Sequence, residues 1–115
     1  MLLKAAVVGV ALIASAVGAQ AQSKETVKIA FIGPLSGGNS AAGVGGRNSA
    51  ALAVNLRNDN PSSKYKYELV ALDDECKPNV GIQVATRAAT DRHIVAGVTH
   101  YCSAVAIAAV DVYHR

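Results

Sequence analysis

The chain has no tryptophan, one phenylalanine and four tyrosines among its 115 residues. A core so poor in aromatics must be built from Val, Ile, Leu and Ala, a palette that suits helices packed on a parallel sheet. Cysteine is equally scarce. Cys76 and Cys102 are too far apart for a CxxC redox pair, and two cysteines exclude a four-cysteine zinc site within the chain. The net charge is +3, with basic residues scattered as Lys64, Lys66, Arg87, Arg92 and Arg115 rather than gathered in a block with interleaved aromatics. Nucleic-acid binding is therefore not expected. The Gly-x-Ser-x-Gly elbow of α/β hydrolases is also missing.

What is present begins with a leader. Lys4 precedes an uncharged apolar run from Ala5 to Val17, and Ala19-Gln20-Ala21 fits a small-x-small cleavage site. The run is about 13 residues, short of the roughly 20 that span a bilayer, so residues 1–21 read as a cleaved signal peptide rather than an anchor. The mature chain, 22–115, has about 94 residues, enough for one small domain. No second apolar run is long enough for a membrane span.

The mature chain alternates strand-like and helix-like segments. Val27–Ile32 is almost wholly apolar and stops at Gly33-Pro34, as a strand buried on both faces would. Leu35–Gly46 reads as a Gly/Ser/Asn-rich loop, followed by a helix over Val44–Asn58. Tyr67–Leu72 is a second strand, with Glu68 pointing to an edge position; Pro78 opens a second helix over Asn79–Asp91. Ile94–Val98 is a short third strand, and a third helix starts at Ser103 and still runs at Arg115. Three β-α units imply right-handed crossovers and a parallel sheet. Doubly wound sheets usually have five or six strands, so the chain is expected to be part of a longer protein.

In such sheets ligands bind beyond the carboxyl ends of the strands. Gly33–Gly46, Asp73–Pro78 and Thr99–Ser103 lie there. Gly43-Val44-Gly45-Gly46 is about ten residues past its strand and has Asn48 where a dinucleotide fingerprint needs a small residue, so no cofactor is expected. Ser103, at a helix amino terminus, suits either an N-cap or a contact to an anionic ligand. Asp73-Asp74-Glu75 reads as a solvated turn and His100 as a hydrogen-bonded packing residue; neither forms a metal or catalytic cluster. In an oxidising compartment Cys76 and Cys102 suit a structural disulfide, the alternative being two buried thiols.

Ile29-Ala30-Phe31-Ile32-Gly33-Pro34-Leu35-Ser36-Gly37, Asp73-Asp74-Glu75-Cys76-Lys77-Pro78 and His100-Tyr101-Cys102-Ser103, taken together, resemble the periplasmic leucine/isoleucine/valine-binding proteins. The resemblance implies a type I binding-protein fold, of which residues 22–115 would form the first part of lobe 1 without the second lobe. It also implies a first strand lying between the other two, and a Cys76–Cys102 disulfide. Ser103 corresponds to a serine that holds the ligand's α-carboxylate. Ala42 stands where an aromatic often packs on the ligand, so a larger or differently shaped side chain is expected to fit. With Tyr101, these are the expected ligand contacts.

The function so implied is that of the solute-binding component of an ABC importer, periplasmic, monomeric when full length, and partnered by a membrane permease. It would bind amino acids or related small carboxylates without metal or cofactor. The alternatives are an extracytoplasmic sensor domain of the same fold and a secreted α/β hydrolase, for which no nucleophile–base pair is evident.

Overall fold

The computed structural model describes residues 23–114; the expected leader lies outside them. Strands β1 (Thr26–Gly33), β2 (Lys66–Asp73) and β3 (Ile94–Thr99) form one parallel sheet in the order β2-β1-β3. β1 is in register with β2 from Thr26↔Lys66 to Gly33↔Asp73, and pairs β3 with one irregularity between Lys28 and Ile29. The α/β class and the central first strand agree with the sequence reading. Among the described residues, no helix is long and apolar enough to cross a membrane.

Helix α1 spans Ser40–Asp59, α2 Pro78–Thr90 and α3 Ser103–Ala109, which tightens into a 3-10 turn over Val110–His114. The third helix therefore stops being α-helical earlier than expected. Residues Ala30 and Ile32 of β1 face α2 in a cluster with Leu72 and Ala88, flanked by Val70, Val84 and Ile94. Ala85, Val105 and Ala109 are also buried, completing the α2–α3 contact. Ile32 and Val105 are almost wholly inaccessible, and burying each contributes about 1.5–3 kcal/mol. Alanines on α2 substitute for bulk by letting elements approach closely. At Gly81, an added Cβ would lie 2.2 Å from Val105 Cγ1.

The start of α1 corrects the sequence reading. The helix begins at Ser40, not near Val44, so the loop after β1 is shorter and Gly43, Gly45 and Gly46 are helical. Gly43 and Gly46 are three apart and share the face turned to β1. A Cβ on Gly46 would meet the Phe31 ring at 3.1 Å, and one on Gly43 would fall 1.7 Å from the Pro34 carbonyl oxygen. These glycines permit helix-to-strand contact rather than loop freedom.

β2 is an edge strand, as Glu68 indicated, and its outer side is closed by a side chain. The Asn58 carboxamide of α1 donates to the Tyr67 carbonyl and accepts from the Tyr67 amide, both at 2.8 Å. It thus imitates a neighbouring strand and satisfies groups that would invite edge pairing.

At the same amino end of the sheet, on the β3 side, Lys28 bonds Asp91 at 3.1 Å, and Asp91 also accepts from the His93 amide. The amide bond first, then Lys28, lowers the Asp91 pKa to about 2. Because this lies below the unfolded value of about 3.9, the carboxylate favours the fold above that pH and loses its contribution as pH falls towards about 2. Urea denaturation should show a steeper loss of stability between about pH 4 and pH 2 in the native chain than in Asp91→Asn. Equal slopes would show that the Lys28 and His93 bonds do not favour the charged form.

Candidate ligand cleft at the carboxyl edge of the sheet

The order β2-β1-β3 sends the chain one way from β1 to β2 and back across it to β3. A crevice therefore opens between the carboxyl ends of β1 and β3, the switch point at which parallel sheets bind ligands. A cavity of about 190 Å³ lies there, lined by Phe31 and Ile32 of β1, Ala42, Gly43 and Gly46 of α1, and Val98, Thr99, His100 and Tyr101 of β3 and its loop. Complete small-molecule pockets usually enclose about 300–1,000 Å³, so this is the size of one wall of a site. A larger hollow of about 290 Å³ follows β3 and α2 on the opposite face, away from the α1 terminus and the Ser103 loop.

Of the residues singled out from sequence, Ala42 of α1 and Tyr101 of the loop after β3 line the same cavity, and Tyr101 is 63% exposed. Ser103 is exposed one turn of loop further on and does not line it. Cys102, not Ser103, occupies the N-cap of α3, and no side chain caps that helix. Ser103 is the first helical residue, so the plain capping role considered from sequence is not the one it plays. Phe31, Ile32 and Val98 were not anticipated as lining residues. Their signal was available only as the last positions of strands whose carboxyl ends converge.

The loop after β1 is held by Asp73. Its Oδ1 accepts from the Leu35 and Glu75 amides, each at 2.8 Å. Burial alone would raise the Asp73 pKa, but hydrogen bonds from the Ser36 hydroxyl and the Glu75, Leu35 and Ser36 amides outweigh it and lower the value. The carboxylate thereby ties Pro34–Ser36 to the end of β2, shaping one lip of the crevice.

Asp74 departs from the sequence reading. It is completely buried, not solvated, while Glu75 beside it is exposed. The Asp74 amide bonds the Gly33 carbonyl at 3.1 Å, carrying this loop over the end of β1. Oδ1 of Asp74 accepts from the Cys76 amide at 2.9 Å, and Oδ2 lies 2.9 Å from His100 Nδ1. His100 Nε2 lies 2.9 Å from the Tyr113 hydroxyl. Both ring nitrogens are partnered, as expected of a packing histidine. Desolvation, countered by a bond with Thr99 and reinforced by the Asp74 charge, raises the Tyr113 pKa, so the phenol stays protonated.

Glu75 and Cys76 have φ of 52° and 56°, and the Lys77 amide closes the turn onto the Asp74 carbonyl at 2.9 Å. Left-handed backbone at a residue with a side chain costs about 1–2 kcal/mol, so the turn needs outside support. Cys76 is joined to Cys102 in a disulfide with Cα atoms 5.6 Å apart. The two cysteine loops meet over the end of β1, as the strand order required. Among the described residues no group of three or more His, Cys, Asp or Glu side chains is placed to hold a metal ion.

Comparison with known proteins agrees with this geometry. The family model described as periplasmic binding protein matches residues 26–115. An amino acid binding protein of Pseudomonas aeruginosa is 32% identical over 104 residues, which cover 88% of this chain and 27% of that protein. The crystal structure of a possible leucine/isoleucine/valine-binding protein from Rhodopirellula baltica SH 1 aligns with a TM-score of 0.66 and 22% identity, over 80% of this chain and 25% of that one. At that identity the likeness speaks for the fold alone. The chain spans about a quarter of the length of these relatives.

Proposed function

Since this chain belongs to the periplasmic binding protein family, we propose that it supplies one wall of an extracytoplasmic site for amino acids or similar small carboxylates, within a two-lobed solute receptor of an ABC importer. The observation that carries this reading is the cavity at the switch point, which Ala42 and Tyr101 both line beside the ends of β1 and β3. A one-sided hollow of this size needs an opposing surface. A solute bridging the two would stabilise the closed form, which a membrane permease then distinguishes from the open one.

In this reading Ser103 meets the ligand's carboxylate, its hydroxyl free of a capping bond and the first turn of α3 presenting amide donors. Tyr101 and Phe31 offer apolar surface to the remainder of the ligand, and Ala42 leaves room for a bulky side chain. The leader, residues 1–21, would deliver the protein to the periplasm, where the Cys76–Cys102 bond is stable.

Titration calorimetry of the intact protein with aliphatic and aromatic amino acids tests the assignment. Binding by at least one is expected, and Ser103→Ala should weaken it by about 1–3 kcal/mol, as for a lost bond to a charged group. Failure of every amino acid to bind removes the ligand class. Unchanged affinity in Ser103→Ala removes the role of that hydroxyl.

A further inference from the structure

The Asp74–His100 pair and the disulfide connect the same two loops in parallel. Asp74 and His100 are 26 residues apart, as are Cys76 and Cys102, each ionisable residue standing two positions before a cysteine. The side chains of Asp74 and His100 are 0% and 2% exposed, so water does not compete for this contact. The carboxylate acts on both sides. One oxygen holds the Cys76 amide at 2.9 Å and the other meets the His100 ring at 2.9 Å. On the far side, the Cys102 carbonyl accepts from the Val105 and Ala106 amides, both at 3.0 Å, which fixes the backbone of that cysteine to α3. His100 is in turn braced by Tyr113 from the 3-10 turn.

We propose that Asp74 and His100 form a noncovalent rung that pre-aligns Cys76 and Cys102 for oxidation and holds the two loops together while the disulfide is open. The turn at Glu75-Cys76 has left-handed backbone at both residues, and with the disulfide open it would relax if nothing else held it. The Asp74 carboxylate supplies that hold before any covalent bond exists. His100 and Asp74 are thus positioning residues, acting through the cysteines. Closure with a small disulfide such as glutathione disulfide is balanced. One cysteine thiolate attacks it and expels one glutathione, and the second thiolate displaces the other from the mixed disulfide. Two electrons and two protons pass from the protein thiols to two glutathione molecules. The equilibrium constant of this exchange measures how closely the reduced native chain holds its thiols.

The test is that constant, measured in glutathione redox buffers by alkylation and mass spectrometry on the intact protein. His100→Gln is expected to lower it by about 10-fold or more, the scale of a lost hydrogen bond to a buried charged group. Ile94→Val, which loosens the core at the amino end of the sheet, away from both loops, should change it less than about 2-fold while the chain remains folded. A His100→Gln value within 2-fold of wild type overturns the proposal, and so does an equal fall in both variants. Should His100→Gln fail to fold even when oxidised, Tyr113→Phe removes only the ring's second partner, and the constant is then expected to fall about 3-fold or more. An unchanged constant in that variant overturns the proposal equally.

Discussion

Replacing Gly43 with alanine is expected to destabilise the fold by about 3 kcal/mol, at the upper end of what overpacking usually costs. The reason is local and geometric. The new Cβ would lie 1.7 Å from the Pro34 carbonyl oxygen and 2.5 Å from its carbon. Those are backbone atoms of a buried residue and cannot swing aside as a side-chain tip would, so the start of α1 must move away from β1. Gly45, two residues on, is exposed and a Cβ there meets nothing within 4 Å. Gly45→Ala should therefore stabilise the helix by about 0.5–1 kcal/mol. Thermal melts followed by circular dichroism should separate the two, with Gly43→Ala lower by roughly 12–24 °C for a domain of this size. A Gly43→Ala melt at or above wild type would show that α1 does not sit this close to Pro34. Ala42 is the neighbour of Gly43 and lines the cavity, so a displaced helix should also weaken any ligand held there.

Opening the disulfide is the other large effect. Replacing both Cys76 and Cys102 with alanine should lower stability by about 3.5 kcal/mol, the loop-closure value for residues 26 apart. This loss arises in the unfolded chain, which gains freedom, whereas the Gly43 loss arises in the folded one. Urea titration should show a reduced midpoint together with a larger dependence on denaturant, because the unlinked chain exposes more surface when it unfolds. A change below about 1 kcal/mol would mean that the unfolded chain keeps these loops together by other means. Ligand affinity well below the melting temperature should fall far less than stability, since Asp74 and His100 still join the loops.

The order of strands and helices was legible because each element carries its own periodic pattern. Val27–Ile32 is apolar except at Lys28 and becomes the central strand, and Glu68 marks an exposed edge in β2. The cysteines were legible as a pair because the leader-like start points to an oxidising compartment, where two cysteines have few alternatives. The family was legible in three short segments spread over residues 29–103, and the comparisons bear it out.

Other features were hidden for definite reasons. Glycines near Gly43 look like loop residues when only local preference is weighed, because their helical role depends on Pro34 and Phe31 lying across the interface. Asp74 looks like one member of a solvated acidic turn, because burial of its carboxylate becomes favourable only with His100 and the Cys76 amide in place. The equal offset of Asp74 and His100 from the two cysteines was a spacing signal that would have linked them.

Sequence alone thus determined the elements, their polarity and the export-compatible cysteine pair, since these follow from interactions a few residues long. Tertiary structure decided how near α1 approaches β1, which carboxylate is buried, and that Ala42 and Tyr101 share a cavity while Ser103 stands outside its lining. Those outcomes depend on atoms far apart in the chain, where excluded volume and the desolvation of charge take effect only after the elements have packed.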